Sequence, residues 1–139
     1  MLRGMTLRIA LVVLLLALPG VALATDLQIT DTSGAALVVR DAVIDYGGML
    51  SPDTEKDGVR VQQGDGVVRL KWSAVESITV TKVDTSVRPA RIDVEVALVN
   101  GKRLPATLFR KGAMKLTGKT DLGDYAIDVD KIRRVAPAH

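Results

Sequence analysis

The sequence predicts an all-β protein, a small barrel or sandwich of about 8–10 short antiparallel strands behind a cleaved leader. Three observations carry that expectation. After Thr25 no stretch sustains an apolar period of about 3.6 residues. Short alternating or β-branched runs recur in its place, separated by clusters of Gly, Asn and Asp. The 139 residues, 47% of them hydrophobic, suffice for one core and no more.

The leader comes first. Arg3 and Arg8 flank the start of an uninterrupted apolar run over 9–18, which ends at the helix-breaking pair Pro19-Gly20. Val-Ala-Leu-Ala follows at 21–24. A basic start, an apolar core and the small side chains of Ala22 and Ala24 predict a secretory signal peptide over 1–24, cleaved before Thr25. A permanent anchor would need about 20 apolar residues to cross the hydrocarbon, and this core is half as long.

Ten segments then read as strands: 27–30, 36–46, 59–63, 67–72, 77–83, 91–99, 102–109, 113–117, 125–129 and 133–136. Residues 47–57, GGMLSPDTEKD, are the longest irregular piece, and their Gly, Pro and charges predict a mobile loop. GDG at 64–66 and GKTDLGD at 118–124 lie between short strands. Neither opens a helix whose N-terminus could hold a phosphate, so both read as hairpin turns.

The hairpin around Asn100-Gly101 predicts its own register. A two-residue turn would set Val96 against Pro105 and Val94 against Thr107. A three-residue turn with Gly101 in the left-handed region sets Val96 against Leu104, Val94 against Ala106 and Ile92 against Leu108. A one-residue slip sends every side chain to the wrong face, so the apolar pattern selects the second register, with a bulge at Gly101. Pro105 then faces outward beside Glu95. Lacking an N–H, it belongs at an edge or at a break in the ladder.

LKWSAVESI at 70–78 and IDVDKIRRV at 127–135 superimpose position by position. Leu70 matches Ile127, Trp72 matches Val129, Ser73 matches Asp130, Val75 matches Ile132 and Ile78 matches Val135. Two alternating apolar residues end a strand, Ser or Asp caps one tight turn, and the turn returns two apolar residues to the same core. This predicts two related β-units, 36–83 and 90–136, within a single domain over 25–139. The stretch GKTDLGDYAIDVDKIRRV resembles the closing hairpin and turn of small bacterial SH3-like barrels, a likeness of shape that implies no particular activity.

Composition excludes much chemistry. With no Cys there is no thiolate nucleophile, redox pair or disulfide, and the one His is His139, so zinc centres and Ser-His-Asp triads lack their parts. No cofactor is expected. Removing the leader leaves 17 basic and 16 acidic residues, so the basic balance of the whole chain nearly vanishes. What remains is uneven: 25–99 carries eight basic and twelve acidic residues, 100–139 nine and four. Such a field orients a protein on an anionic surface, or draws the two halves, or two copies, together.

The candidate binding residues are Lys102, Arg103, Arg110, Lys111, Lys115 and Lys119, read as basic hairpin ends, together with Tyr46 beside Gly47-Gly48, the aromatic best placed to be exposed. Their alternative reading is a solubilising, edge-protecting rim. Trp72 is assigned to the core. Asp53, Glu55 and Asp57 alternate before Gly58 as a calcium loop begins, but the twelfth position from Asp53 is Gly64, where a bidentate Glu would be required. A solvated turn is the competing account.

These observations predict an exported, non-enzymatic binding or assembly module of the bacterial cell envelope, periplasmic or secreted, whose partner is another envelope protein or an anionic envelope surface. Nucleic acid is not an expected partner. The alternatives are a binder of lipid head groups or glycans through the basic hairpin ends, and a small hydrolase working with two carboxylates.

Overall fold

The computed structural model describes residues 25–48 and 50–138. The expected leader, 1–24, lies outside the described residues. The strands are β1 (Leu27–Asp31), β2 (Ala36–Asp45), β3 (Thr54–Glu55), β4 (Gly58–Gln63), β5 (Gly66–Lys71), β6 (Val75–Asp84), β7 (Arg91–Leu98), β8 (Arg103–Leu108), β9 (Lys115–Thr120), β10 (Gly123–Asp128) and β11 (Ile132–Pro137). Two 3-10 turns, Trp72–Ala74 and Val129–Lys131, follow β5 and β10. The described residues are all-β, as the sequence predicts. One strand was not expected: β3 lies in the loop assigned to 47–57, where Glu55 pairs with Ile44 and Thr54 with Asp45 of β2.

All strands pair antiparallel in one sheet of order β10-β9-β2-β1-β11-β6-β7-β8-β4-β5, with β3 added to β2. The sheet curls into a half-barrel. Register shifts within the β1/β11, β2/β9 and β6/β7 pairs mark the bulges that add local twist and let it curl.

The β7/β8 hairpin takes the register selected by its apolar pattern: Val96 faces Leu104, Val94 faces Ala106 and Glu95 faces Pro105. Gly101 has φ +89, the left-handed value that such a turn demands of its glycine. Pro105 is exposed, and the β4 pairing of β8 begins only at Thr107, so its missing N–H breaks no ladder.

The two echo segments have equivalent structures. Each is the second strand of a hairpin, a 3-10 turn and a further strand. The expected caps are absent: Ser73 and Asp130 lie inside the turns, and the N-cap positions, Lys71 and Asp128, make no side-chain cap. The preceding hairpin strands do that work instead. Trp72 N–H donates to the Asp57 carbonyl at 2.8 Å and Val129 N–H to the Met114 carbonyl at 3.1 Å.

The correspondence extends beyond the echo, but not along the bounds 36–83 and 90–136. Strand β2, which opens the first expected unit, pairs with β1, β3 and β9 and not with β4–β6. The half-sheet β6-β7-β8-β4-β5 follows the order of β11-β1-β2-β9-β10. In the β1/β2 hairpin Ile29 faces Leu37, as Val96 faces Leu104 in the other half, and Gly34 has φ +92 where Gly101 has +89. Asp31 N–H donates to the Ala35 carbonyl as Leu98 N–H does to Lys102. The two halves meet where β6 pairs with β11.

Both halves supply the core. Trp72, Val75 and Ile78 come from one half, Val129, Ile132 and Val135 from the other, with Leu27, Ile29, Tyr46, Val59, Ile92, Met114 and Leu116 closing around them. The void left between them is apolar and only about 30 Å³, too small for an organic ligand. Among the described residues no helix is long and apolar enough to cross a membrane.

Candidate functional site

Among the described residues, strands β5 and β10 end the sheet and pair on one side only, with β4 and β9. Because Trp72 N–H turns toward β4, alternation turns the backbone groups of Leu70 and Val68 the same way. Those of Val67, Arg69 and Lys71 therefore point away from the sheet. In β10 the bond from Val129 fixes the same phase, leaving Asp124, Ala126 and Asp128 with outward N–H and C=O groups. Each edge is thus a ready template for another strand.

Side chains on the two edges differ in sign. Val68 and Leu70 stand opposite the buried Val61 and Val59, so they share the core face. Val67, Arg69 and Lys71 occupy the outer face and are exposed. On β10 Tyr125 and Ile127 take the core face, while Asp124, Ala126 and Asp128 are outside and exposed. Arg69 holds Glu55 at 3.0 Å, and Lys71 makes no ion pair among the described residues. Val67 and Val68 remain 50% and 39% exposed, an apolar contribution to the β5 edge.

The basic residues singled out in the sequence do not gather into one patch. Lys102 is exposed at the β7/β8 hairpin, and Arg103 holds Glu95 at 3.0 Å. Arg110 turns inward: its side chain is 8% exposed, with Nη1 2.7 Å from Asp130 Oδ1 and donating to the Ala90 carbonyl at 2.8 Å. Lys111 donates to Asp53 at 2.6 Å. Lys115 and Lys119 are exposed on β9, registered against Asp128 and Asp124. Positive and negative groups are therefore interleaved on this surface.

Tyr46 corrects its expectation of exposure. It is 1% exposed, because the Arg60 guanidinium covers its ring at 4.4 Å and Phe109 packs against it at 6.0 Å. Its hydroxyl oxygen accepts the Arg60 backbone N–H at 2.7 Å. Burial pushes that hydroxyl's pKa up to about 12.

Arg60 organises a cluster that sequence reasoning missed. It grips Asp53 with two bonds, 2.9 and 2.7 Å, and stands 3.5 Å from Glu55. Hydrogen bonds from Arg60, then from Lys111, hold the Asp53 carboxyl well below its usual range. The cluster clasps both crossovers between the half-sheets, 46–57 and 109–114, to β4. Its only sequence signal was the alternation of Asp53 and Glu55 shortly before an Arg set between Val59 and Val61.

The acidic loop therefore turns two of its carboxylates toward arginine, and among the described residues no group of three His, Cys, Asp or Glu side chains is arranged to hold a metal. Asp31, Asp53, Asp84 and Asp93 are all held below the ordinary carboxylate value by hydrogen bonds. An open polar groove of about 470 Å³ lies within the β4–β8 half, beside the β6–β7 connection, lined by Gln62, Pro89, Arg91, Thr107 and Arg110, but Arg91 and Thr107 both hold Asp93 and Arg110 holds Asp130.

No family model, curated protein or solved structure matches the chain.

Proposed function

We propose that the protein is an exported, non-enzymatic assembly module of the bacterial cell envelope that recruits a partner by adding a strand to the free edges of its sheet. The observation that carries this reading is the pair of six-residue edges, β5 and β10, that no strand among the described residues covers, each with a row of outward backbone groups. Export rests on the arrangement of residues 1–24 as a signal peptide. The repeated order of pairings supports descent of the two half-sheets from one β-unit. In that account β9, β10, β11, β1 and β2 form one copy, split between the chain's two ends, and β4–β8 form the other.

The test is recovery of partners from the organism's own envelope extract by the immobilised protein, compared with Val67→Pro and Ala126→Pro. Both positions direct their N–H away from the sheet, so proline removes the docking donor without removing a native ladder bond. Specific recovery that either variant abolishes supports the reading. Recovery indifferent to both variants overturns it, as does salt-sensitive attachment to anionic vesicles in place of any protein partner.

A further inference from the structure

The geometry points to a second copy of this chain as the strand that docks, β5 of one molecule pairing antiparallel with β10 of the next. The inference rests on the edge-recruitment reading above and names the partner.

Three features converge on it. The first is charge. Lysines and other charged residues on an edge ordinarily protect it, because a like edge bearing the same sign is repelled. Here the outer face of β5 carries Lys71, with Arg69 beside it bound to Glu55, and the outermost strand β10 carries Asp124 and Asp128, with Lys119 and Lys115 one strand further in. Two β5 edges repel, and so do two β10 edges, but β5 and β10 attract.

The second is phase. The outward backbone groups belong to Val67, Arg69 and Lys71 on one edge and to Asp124, Ala126 and Asp128 on the other. An antiparallel ladder with Lys71 opposite Asp124 therefore also sets Arg69 opposite Ala126 and Val67 opposite Asp128. All three are hydrogen-bonded pairs. Arg69 then lies diagonally between both aspartates, within reach of a long side chain.

The third is apolar continuity. The same register places Leu70 opposite Tyr125 and Val68 opposite Ile127, so the core faces of the two half-barrels run on without a break. Val68, Leu70, Tyr125 and Ile127 are all incompletely buried in the single chain. The contact is head-to-tail, and it yields closed rings or open chains according to the rotation it imposes.

Two pairs of variants test this by sedimentation velocity on the purified exported protein. Val67→Glu with Lys71→Glu makes both edges acidic, and Asp124→Lys with Asp128→Lys makes both edges basic. The wild-type chain is expected to self-associate below about 1 mM, and each double variant alone to weaken association at least tenfold. Mixing the two double variants restores complementary edges and hence association.

Proline provides the second pair and needs no charge change. Val67→Pro leaves only β10 open and Ala126→Pro leaves only β5 open, so each alone is monomeric and an equimolar mixture forms a heterodimer that grows no further. Circular dichroism is the check that each variant is folded. A wild-type chain that stays monomeric at about 1 mM, or mixtures that fail to associate when both members are folded, overturns the second-copy proposal. Either result leaves the extract experiment to judge whether the edges recruit a different protein.

Discussion

Ile78 and Val135 face each other across the seam where β6 pairs with β11. They are also the last matched positions of the sequence echo, so equivalent residues of the two halves meet at the junction. That is the signature of a two-fold relationship, with its axis passing between these two side chains. Arg134 and Thr79 pair beside them in the same antiparallel sense. The relationship explains why both 3-10 turns deliver their first residue, Trp72 and Val129, to one shared core.

Trp72 fills far more of that core than Val129, although both occupy the same place in their halves. Trp72→Ala is expected to cost about 3–5 kcal/mol and Val129→Ala about 1–3 kcal/mol. Urea denaturation of each variant measures the difference. Equal costs would mean that the Trp72 ring does not fill the core as its burial implies.

Glycine positions provide a second check on the equivalence. Gly34 and Gly101 have φ +92 and +89, and a Cβ at either would meet nothing within 4 Å. Each Gly→Ala change should therefore cost only the left-handed backbone strain, about 1–2 kcal/mol, and nearly the same amount at both sites. Gly118 differs, since its Cβ would fall on Val39 Cγ1 and near the Arg40 carbonyl. Gly118→Ala adds overpacking to a position with no such strain, at about 1–3 kcal/mol. Asp41 holds φ 52 at the bulge of β2, so Asp41→Gly should raise the denaturation midpoint.

Local pairing was legible in the sequence because it depends on alternation and on one glycine. The pattern Val94, Val96, Leu104 and Ala106 with Gly101 admits one register that keeps apolar side chains on one face. The echo was legible for the same reason. The grouping of strands was not, because β1 and β2 complete a half whose other strands lie at the far end of the chain, and no local pattern reports that closure. Burial of Tyr46 was hidden likewise: the neighbouring Gly47-Gly48 suggests exposure, while the group that covers the ring, Arg60, belongs to β4. The edge charges could have been found. Aligning the echo hairpins sets Lys71 against Asp128 and Val67 against Asp124, opposite or unlike residues at equivalent edge positions.

Tyr46→Phe removes only the oxygen that accepts the Arg60 N–H, leaving the ring beneath the guanidinium and against Phe109. The stranded donor should cost about 1–3 kcal/mol. Tyr46→Leu should cost more, since the contact with Arg60 is then lost as well. Urea denaturation midpoints of the two variants separate the hydroxyl from the ring.

Acid should loosen the Arg60 clasp through Asp53. The folded-state pKa of Asp53 lies below its ordinary value of 3.8, chiefly because Arg60 and then Lys111 donate hydrogen bonds to the ionised form. The unfolded chain therefore binds a proton at higher pH than the folded chain does. Stability from this group is fully present above pH 3.8 and drains away as the pH falls from there through the lower, folded-state value. The urea midpoint of the wild-type protein should decline across that interval, whereas Asp53→Asn, already weakened at neutral pH, should decline less. Asp31, Asp84 and Asp93 are displaced in the same direction and contribute a decline common to both proteins, so the Asp53 share is the difference between the two curves. Parallel curves for the two proteins would show that the Arg60–Asp53 pair does not hold the crossovers in solution.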